Sequence, residues 1–199
     1  MPPPKLHDAA LRMTLLVQTS RLVAESGPEA VSVRAAAAAA GTSTSAVYAL
    51  FGSREVLLAA VVQEAVARFG AHLAAVTESD DPVGDLLALG MAYRVSALDD
   101  PHFYRVMFDA GPARVNRVGR DEPTFAVLQG AVQRCIDAGM TADADAERMA
   151  TTLWALVHGL VQLEIAGLLE DDEHRRADGY RLALQDMWLG LACRREAAT

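Results

Sequence analysis

A chain of 199 residues with 52% apolar but only 6% aromatic side chains must fill its core with aliphatic residues and alanine, and abundant alanine with few β-branched runs favours helix throughout. Its two cysteines, Cys135 and Cys193, are far apart and unclustered, which excludes a disulfide scaffold or a zinc site and suits a reducing cytosol. The net charge of −8 is uneven: residues 1–55 hold five basic against four acidic side chains and the remainder 13 against 22, so an acidic body carries a near-neutral end able to approach phosphate.

The start, with Lys5, His7 and Asp8, lacks the apolar core of a secretory leader. A first helix is expected over about Leu6–Ser26, stopped by Gly27-Pro28. Ser32 is a natural N-cap for a second helix ending at Gly41, and Ser43 for a short third one to about Leu50. Gly52-Ser53 then opens a long fourth helix to about Val76, with apolar residues at Leu57, Val61, Ala65, Phe69 and Leu73. Leu86, Leu89, Tyr93 and Ala97 mark a fifth helix, closed by Asp99-Asp100-Pro101, and a short sixth follows at 102–109. After a looser stretch, Gly111–Pro123, three more helices are expected at about 124–138, 144–169 and 174–193. The uncharged stretches Ala35–Ser53 and Met149–Leu163 do not read as membrane spans: Gly41–Ser45 breaks the first, and the second falls short of the roughly 20 residues a span needs.

The fold class is therefore all-α: an N-terminal three-helix helix-turn-helix domain and a larger helical domain for ligand binding and dimerisation. The boundary is expected at the fourth helix, giving domains at 6–55 and 56–195.

The segment 31–58, VSVRAAAAAAGTSTSAVYALFGSREVLL, carries the function. It reads as helix, glycine turn, helix, glycine turn, helix. Its small alanines allow close helix crossing, and Ser43 caps a short helix whose exposed end can enter a major groove. Val47, Leu50 and Phe51 hold that helix in place from within.

Gly27, Ser32-Val33-Arg34, Ala39–Gly41, Ser43, Tyr48, Phe51, Ser53, Glu55 and Leu57-Leu58 together resemble the N-terminal domain of the tetracycline-repressor (TetR) family over about residues 15–60. The resemblance implies that Ser32 and Arg34 contact phosphates and that Ser43, Thr44, Ser45 and Ala46 lie over base edges. It implies also that Tyr48 gives its hydroxyl to a phosphate, and that Arg54, where the family usually has lysine, contacts the DNA backbone. Each has a plainer alternative: Ser32, Ser43 and Ser53 are also N-caps, and Arg34 could simply be solvated. The recognition helix lacks the Lys, Arg, Gln and Asn that make bidentate base contacts, so DNA shape and bridging water are expected to supply much of the specificity.

Trp154-x-x-x-His158-Gly159, preceded by the run Pro101–Phe108, resembles the family's Trp-His-Gly type of regulatory domain. Trp154 and His158 share a helix face. With Tyr93, Phe103, Met107, Phe108 and Phe125 they are candidate lining of an apolar effector cavity, or core packing with a satisfied histidine. The last two helices resemble the family's dimerisation element, with Leu153, Leu156, Leu160 and the Tyr180–Leu191 stripe as its apolar face, and 170–176 reads as a solvated connection.

These readings imply a cytoplasmic, homodimeric repressor that binds operator DNA and is released by a hydrophobic or amphipathic small molecule, without metal, cofactor or membrane. The alternative is a ligand-independent DNA-binding regulator or an activator. An enzyme is not expected, because no histidine pairs with a carboxylate or nucleophile at a telling spacing and no glycine-rich phosphate loop is present.

Overall fold

The computed structural model describes residues 5–108, 123–141 and 145–192, and every regular element among them is helical. In chain order these are α1 (Lys5–Ser26), a 3₁₀ turn (Pro28–Ala30), α2 (Val33–Ala39), α3 (Thr44–Phe51), α4 (Arg54–Ala74), α5 (Pro82–Asp99), α6 (Pro101–Phe108), α7 (Pro123–Asp137), α8 (Ala146–Ile165) and α9 (Glu173–Ala192). The expected loose stretch up to Pro123 lies, but for Pro123 itself, outside the described residues, as does Cys193. The 3₁₀ turn was not foreseen: Gly27 takes φ 77°, which favours glycine, and Pro28 then fixes the first residue of the turn.

The described residues form two compact units, the first of 5–68 with 100–108, the second of 69–99, 123–141 and 145–192. The division between the units thus falls at Arg68, within α4. The reason is packing: Leu57, Ala60, Val61 and Ala65 of α4 complete the core made by Leu15, Leu16 and Val23 of α1, Ala36 and Ala37 of α2, and Val47 and Phe51 of α3. Among the described helices α4 alone is long and apolar enough to cross a membrane, and a third of that apolar window is buried in the protein.

Helix α6 joins the same core through Phe103 and Val106. Arg68 fastens it there. Its guanidinium donates to Glu64 at 2.8 Å and to Asp100 at 2.5 Å while lying over the Phe103 ring, 4.6 Å from the centroid.

In the second unit, Leu86 of α5, Phe125, Val132 and Cys135 of α7, Met149, Ala150 and Leu153 of α8, and Trp188 and Leu191 of α9 form the core. The Cys135 thiol is pushed up to about 11 by burial, and its Sγ donates to the Pro82 carbonyl, so this cysteine is a packed, unreactive group. Helices α5 and α9 cross closely at Gly90. A Cβ there would lie 2.6 Å from a Leu184 methyl, and the Tyr180 hydroxyl donates to the Gly90 carbonyl at 3.0 Å.

Two expectations about α8 and α9 are corrected. Of the expected dimerisation face, Leu153, Tyr180, Leu184, Trp188 and Leu191 are buried within the chain, because a stripe at i, i+4, i+8, i+11 lets a helix join its own core, whereas Leu156 and Leu160 are only half-buried. The apolar residues left outside are Leu163, Leu182 and Leu189, at 42%, 50% and 58% exposure, flanked by exposed Ala155, Gly159 and Gly190. The second correction concerns the connection before α9, which is not wholly solvated. Glu173 and Arg176 join a buried pair in which Arg94 grips Glu164 through two nitrogens, at 2.5 and 2.8 Å.

Candidate functional site

The helix-turn-helix is built on three serine caps. Ser32 Oγ accepts from the Ala35 amide at 3.1 Å, Ser43 Oγ from the Ala46 amide at 3.2 Å, and Ser53 Oγ from the Val56 amide at 3.2 Å. Each hydroxyl thus accepts from an amide of its helix's first turn, the Ala46 amide being shared with the Ser43 carbonyl at 3.1 Å. Capping does not compete with contact to an anion, because the hydroxyl accepts from the helix and keeps its proton to donate outward. Ser32 and Ser43 are exposed, so their capping leaves each hydroxyl proton facing outward, able to donate.

Gly41, at φ 64°, turns the chain between α2 and α3, and the Thr42 amide closes the turn on the Ala37 carbonyl at 2.9 Å. Val47 and Phe51 bury one side of α3. Thr44, Ser45, Tyr48 and Ala49 are left on the other, with Tyr48 54% exposed and Ala46 half-buried. Arg34 is exposed on α2. The face carries hydroxyls, a phenol, a guanidinium and the positive ends of short helix dipoles, the chemistry that meets phosphate oxygens and groove edges.

Arg54 is placed differently from the other seven. Its Nε donates to the Val31 carbonyl at 2.6 Å and its Nη2 to the Pro28 carbonyl, and its side chain is 29% exposed. No local signal marks this arrangement, since both acceptors are backbone atoms more than twenty residues away. A residue not singled out from sequence, Arg12, lies over the Phe51 ring at 5.4 Å and braces the end of α3.

The seven candidate effector residues fall into two groups. In the second unit the Tyr93 hydroxyl and His158 Nδ1 are 3.2 Å apart, the Trp154 ring lies 6.4 Å from the His158 ring, and Phe125 meets Trp154 at 5.8 Å. Phe69 extends this cluster, packing edge-on against Tyr93 at 5.1 Å. Its place on the apolar stripe of α4 was visible, but its meeting with Tyr93 was not. Phe103, Met107 and Phe108 stand on α6 in the first unit, where Phe103 and Met107 pack into the core around α1 and Phe108 meets Tyr104 in a tilted contact with centroids 4.8 Å apart.

Sequence comparison matches residues 15–61 to the profile of bacterial regulatory proteins of the tetR family, and residues 86–187 to the tetracyclin repressor-like C-terminal domain. No curated protein matches the chain significantly. Among solved structures it is similar to a protein from Rhodococcus sp. RHA1, at 26% identity and TM-score 0.74, over 92% of this chain and 95% of that one. It is similar also to a TetR family transcription regulator from Marinobacter aquaeolei VT8, at 23% identity and TM-score 0.77, over 95% and 99%. A third similar structure is AibR in complex with isovaleryl coenzyme A and operator DNA, at 17% identity and TM-score 0.68, over 86% and 96%. With one profile on the helix-turn-helix and another on about half of the chain, the protein belongs to the TetR family and is a DNA-binding transcription regulator.

Proposed function

We propose that the protein is a homodimeric repressor whose α3 helices enter successive major grooves of an operator and which a small hydrophobic or amphipathic molecule releases. The observation that carries the DNA half is the exposed face of α3, capped by Ser43 and presenting Thr44, Ser45 and Tyr48. Ser32 and Arg34 contact phosphates beside it. Two-fold symmetry sets the recognition helices about 34–36 Å apart. The face offers hydroxyls and a methyl in place of bidentate groups, so shape and water supply much of the base preference.

The effector half rests on the Tyr93, Phe125, Trp154 and His158 cluster. One polar pair among aromatic rings suits a ligand with an apolar body and a single hydrogen-bonding head. AibR, whose structure holds both an acyl-coenzyme A and operator DNA, gives a precedent for such a pairing on a similar fold. Release requires that the ligand favour a protomer arrangement with the wrong helix spacing; tight binding alone shifts nothing.

The competing reading, a ligand-independent regulator or an activator, is favoured by the proximity of His158 to Tyr93, which suits a satisfied core histidine. Fluorescence anisotropy with duplexes from upstream of the protein's own gene tests the DNA assignment. Arg34→Ala should weaken binding evenly across sequences and flatten the salt dependence by about 0.9 per lost contact. Tyr48→Phe should weaken it without changing the slope. A screen of small acyl and aromatic compounds in which none releases the DNA would favour the ligand-independent reading.

A further inference from the structure

Arg54 lies at the exit of the helix-turn-helix and holds its entrance. The chain enters the motif at Val31-Ser32, runs through α2 and α3, and leaves at Ser53-Arg54. The two carbonyls that accept from Arg54, those of Pro28 and Val31, belong to the 3₁₀ turn just before the Ser32 cap. The Pro28 carbonyl also accepts from the Val31 amide at 3.3 Å, and a carbonyl's second lone pair leaves it able to accept from the guanidinium as well. Two arms of one planar guanidinium reach both at once, and so the entry and exit of the motif are tied by a single rigid group. Glu55 Oε1, at 3.7 Å from Nη1 and largely in solvent, is too distant to compete for the fork.

The geometry points to Arg54 as a positioning residue for DNA binding, a clasp that fixes the start of α2 relative to the end of α3, rather than as a phosphate contact. The inference rests on the DNA-binding reading above and deepens it. Ser32 and Arg34 stand at the head of α2, while Ser43, Thr44, Ser45 and Tyr48 stand on α3. Phosphate contacts from one helix and groove contacts from the next act together only if the spacing between them is fixed. A lysine, which the family resemblance places at this position, carries the same charge but is a point donor without the paired fork.

The roles separate experimentally because a phosphate contact is counted in the salt dependence and a clasp is not. Binding of a duplex from upstream of the protein's own gene is measured between roughly 50 and 200 mM salt. It is done for the wild type, Arg54→Lys, Arg54→Ala and Arg34→Ala, each held well below its unfolding temperature. A clasp predicts that Arg54→Lys binds on the order of tenfold more weakly, as loss of a charge-assisted hydrogen bond implies, with an unchanged slope. It predicts also that Arg54→Lys costs less in an Arg34→Ala background, because one of the contacts it positions is already gone. If Arg54→Ala is poorly folded, the lysine variant and the double-mutant cycle decide alone.

Near wild-type affinity for Arg54→Lys, with a slope reduced by about 0.9 for Arg54→Ala, would identify a phosphate contact and overturn the clasp. Equal costs in the two backgrounds would do the same. A wild type that binds no duplex, even at low salt, would bring down the DNA-binding reading itself, a result distinct from either of these.

Discussion

Arg94 and Glu164 show how one buried residue depends on its partner. Their side chains are 6% and 5% exposed, and they meet through two hydrogen bonds, with the more exposed Glu173 and Arg176 at the rim. Bonds from Arg94 and then Arg176 hold the Glu173 carboxyl below the usual carboxylate range, as charge-assisted donors do. The pair itself is weak evidence of stability, because desolvating two charges offsets most of their attraction. Breaking it is another matter. Arg94→Met should destabilise the protein by about 3–5 kcal/mol, since it leaves Glu164 buried without its main partner. The double variant Arg94→Met with Glu164→Leu should recover most of that loss. Urea unfolding of both variants checks this; a single variant costing under about 1 kcal/mol would show that water reaches the pair.

At the scale of elements, the joint between α4 and α5 is held to α7 by Asp85. Its carboxylate accepts from the Ser79 amide at 2.8 Å, the Ser79 hydroxyl at 2.7 Å and Arg134 at 2.8 Å, while Arg134 also donates to the Ser79 carbonyl at 2.6 Å. The Ser79 amide bond, then the Ser79 hydroxyl and Arg134, hold the Asp85 carboxyl below its ordinary range. A carboxyl depressed in the folded state stabilises it fully above the unfolded value, about 4, and loses that contribution as pH falls through the lower native value. Thermal unfolding of the wild type should therefore weaken more steeply below pH 4 than that of Asp85→Asn, and parallel curves would contradict the assignment.

Helices of this kind were legible in the sequence because their signals are local: a serine cap, a glycine stop and an apolar stripe each act within a turn or two. Ser32, Ser43, Gly41 and Gly52 therefore marked α2 and α3 closely. Partners across long separations were not legible. Arg54 reaching Val31, Arg134 reaching Asp85 and Arg94 reaching Glu164 depend on which helices meet, and periodicity does not specify that. The stripe of α9 illustrates the limit. Its spacing showed that Tyr180, Leu184, Trp188 and Leu191 are buried, but not whether the protomer's own core or a second copy buries them.

For the whole molecule, that distinction yields the sharpest test of the proposed dimer. With the main stripe of α9 consumed inside the protomer, the proposed dimer is expected to use the outer faces of α8 and α9. There Leu163, Leu182 and Leu189 stand among Ala155, Gly159 and Gly190, small enough for another helix to approach closely. A groove of about 610 Å³ between these helices, lined by Thr152, Ala183, Asp186 and Gly190 among others, adds concave surface beside them. An arginine at Leu163 or Leu189 would place an unpaired charge in such an interface while leaving the core untouched. Leu163→Arg with Leu189→Arg should thus sediment as a monomer with unchanged helical content. Its operator affinity should drop by roughly 10²- to 10⁴-fold, because the second recognition helix no longer binds as part of the same molecule. Trp188→Ala should behave oppositely, costing about 3–5 kcal/mol of fold stability before any change in assembly. A double arginine variant that remains dimeric, or a Trp188 variant that dissociates while fully folded, would return the interface to the inner stripe.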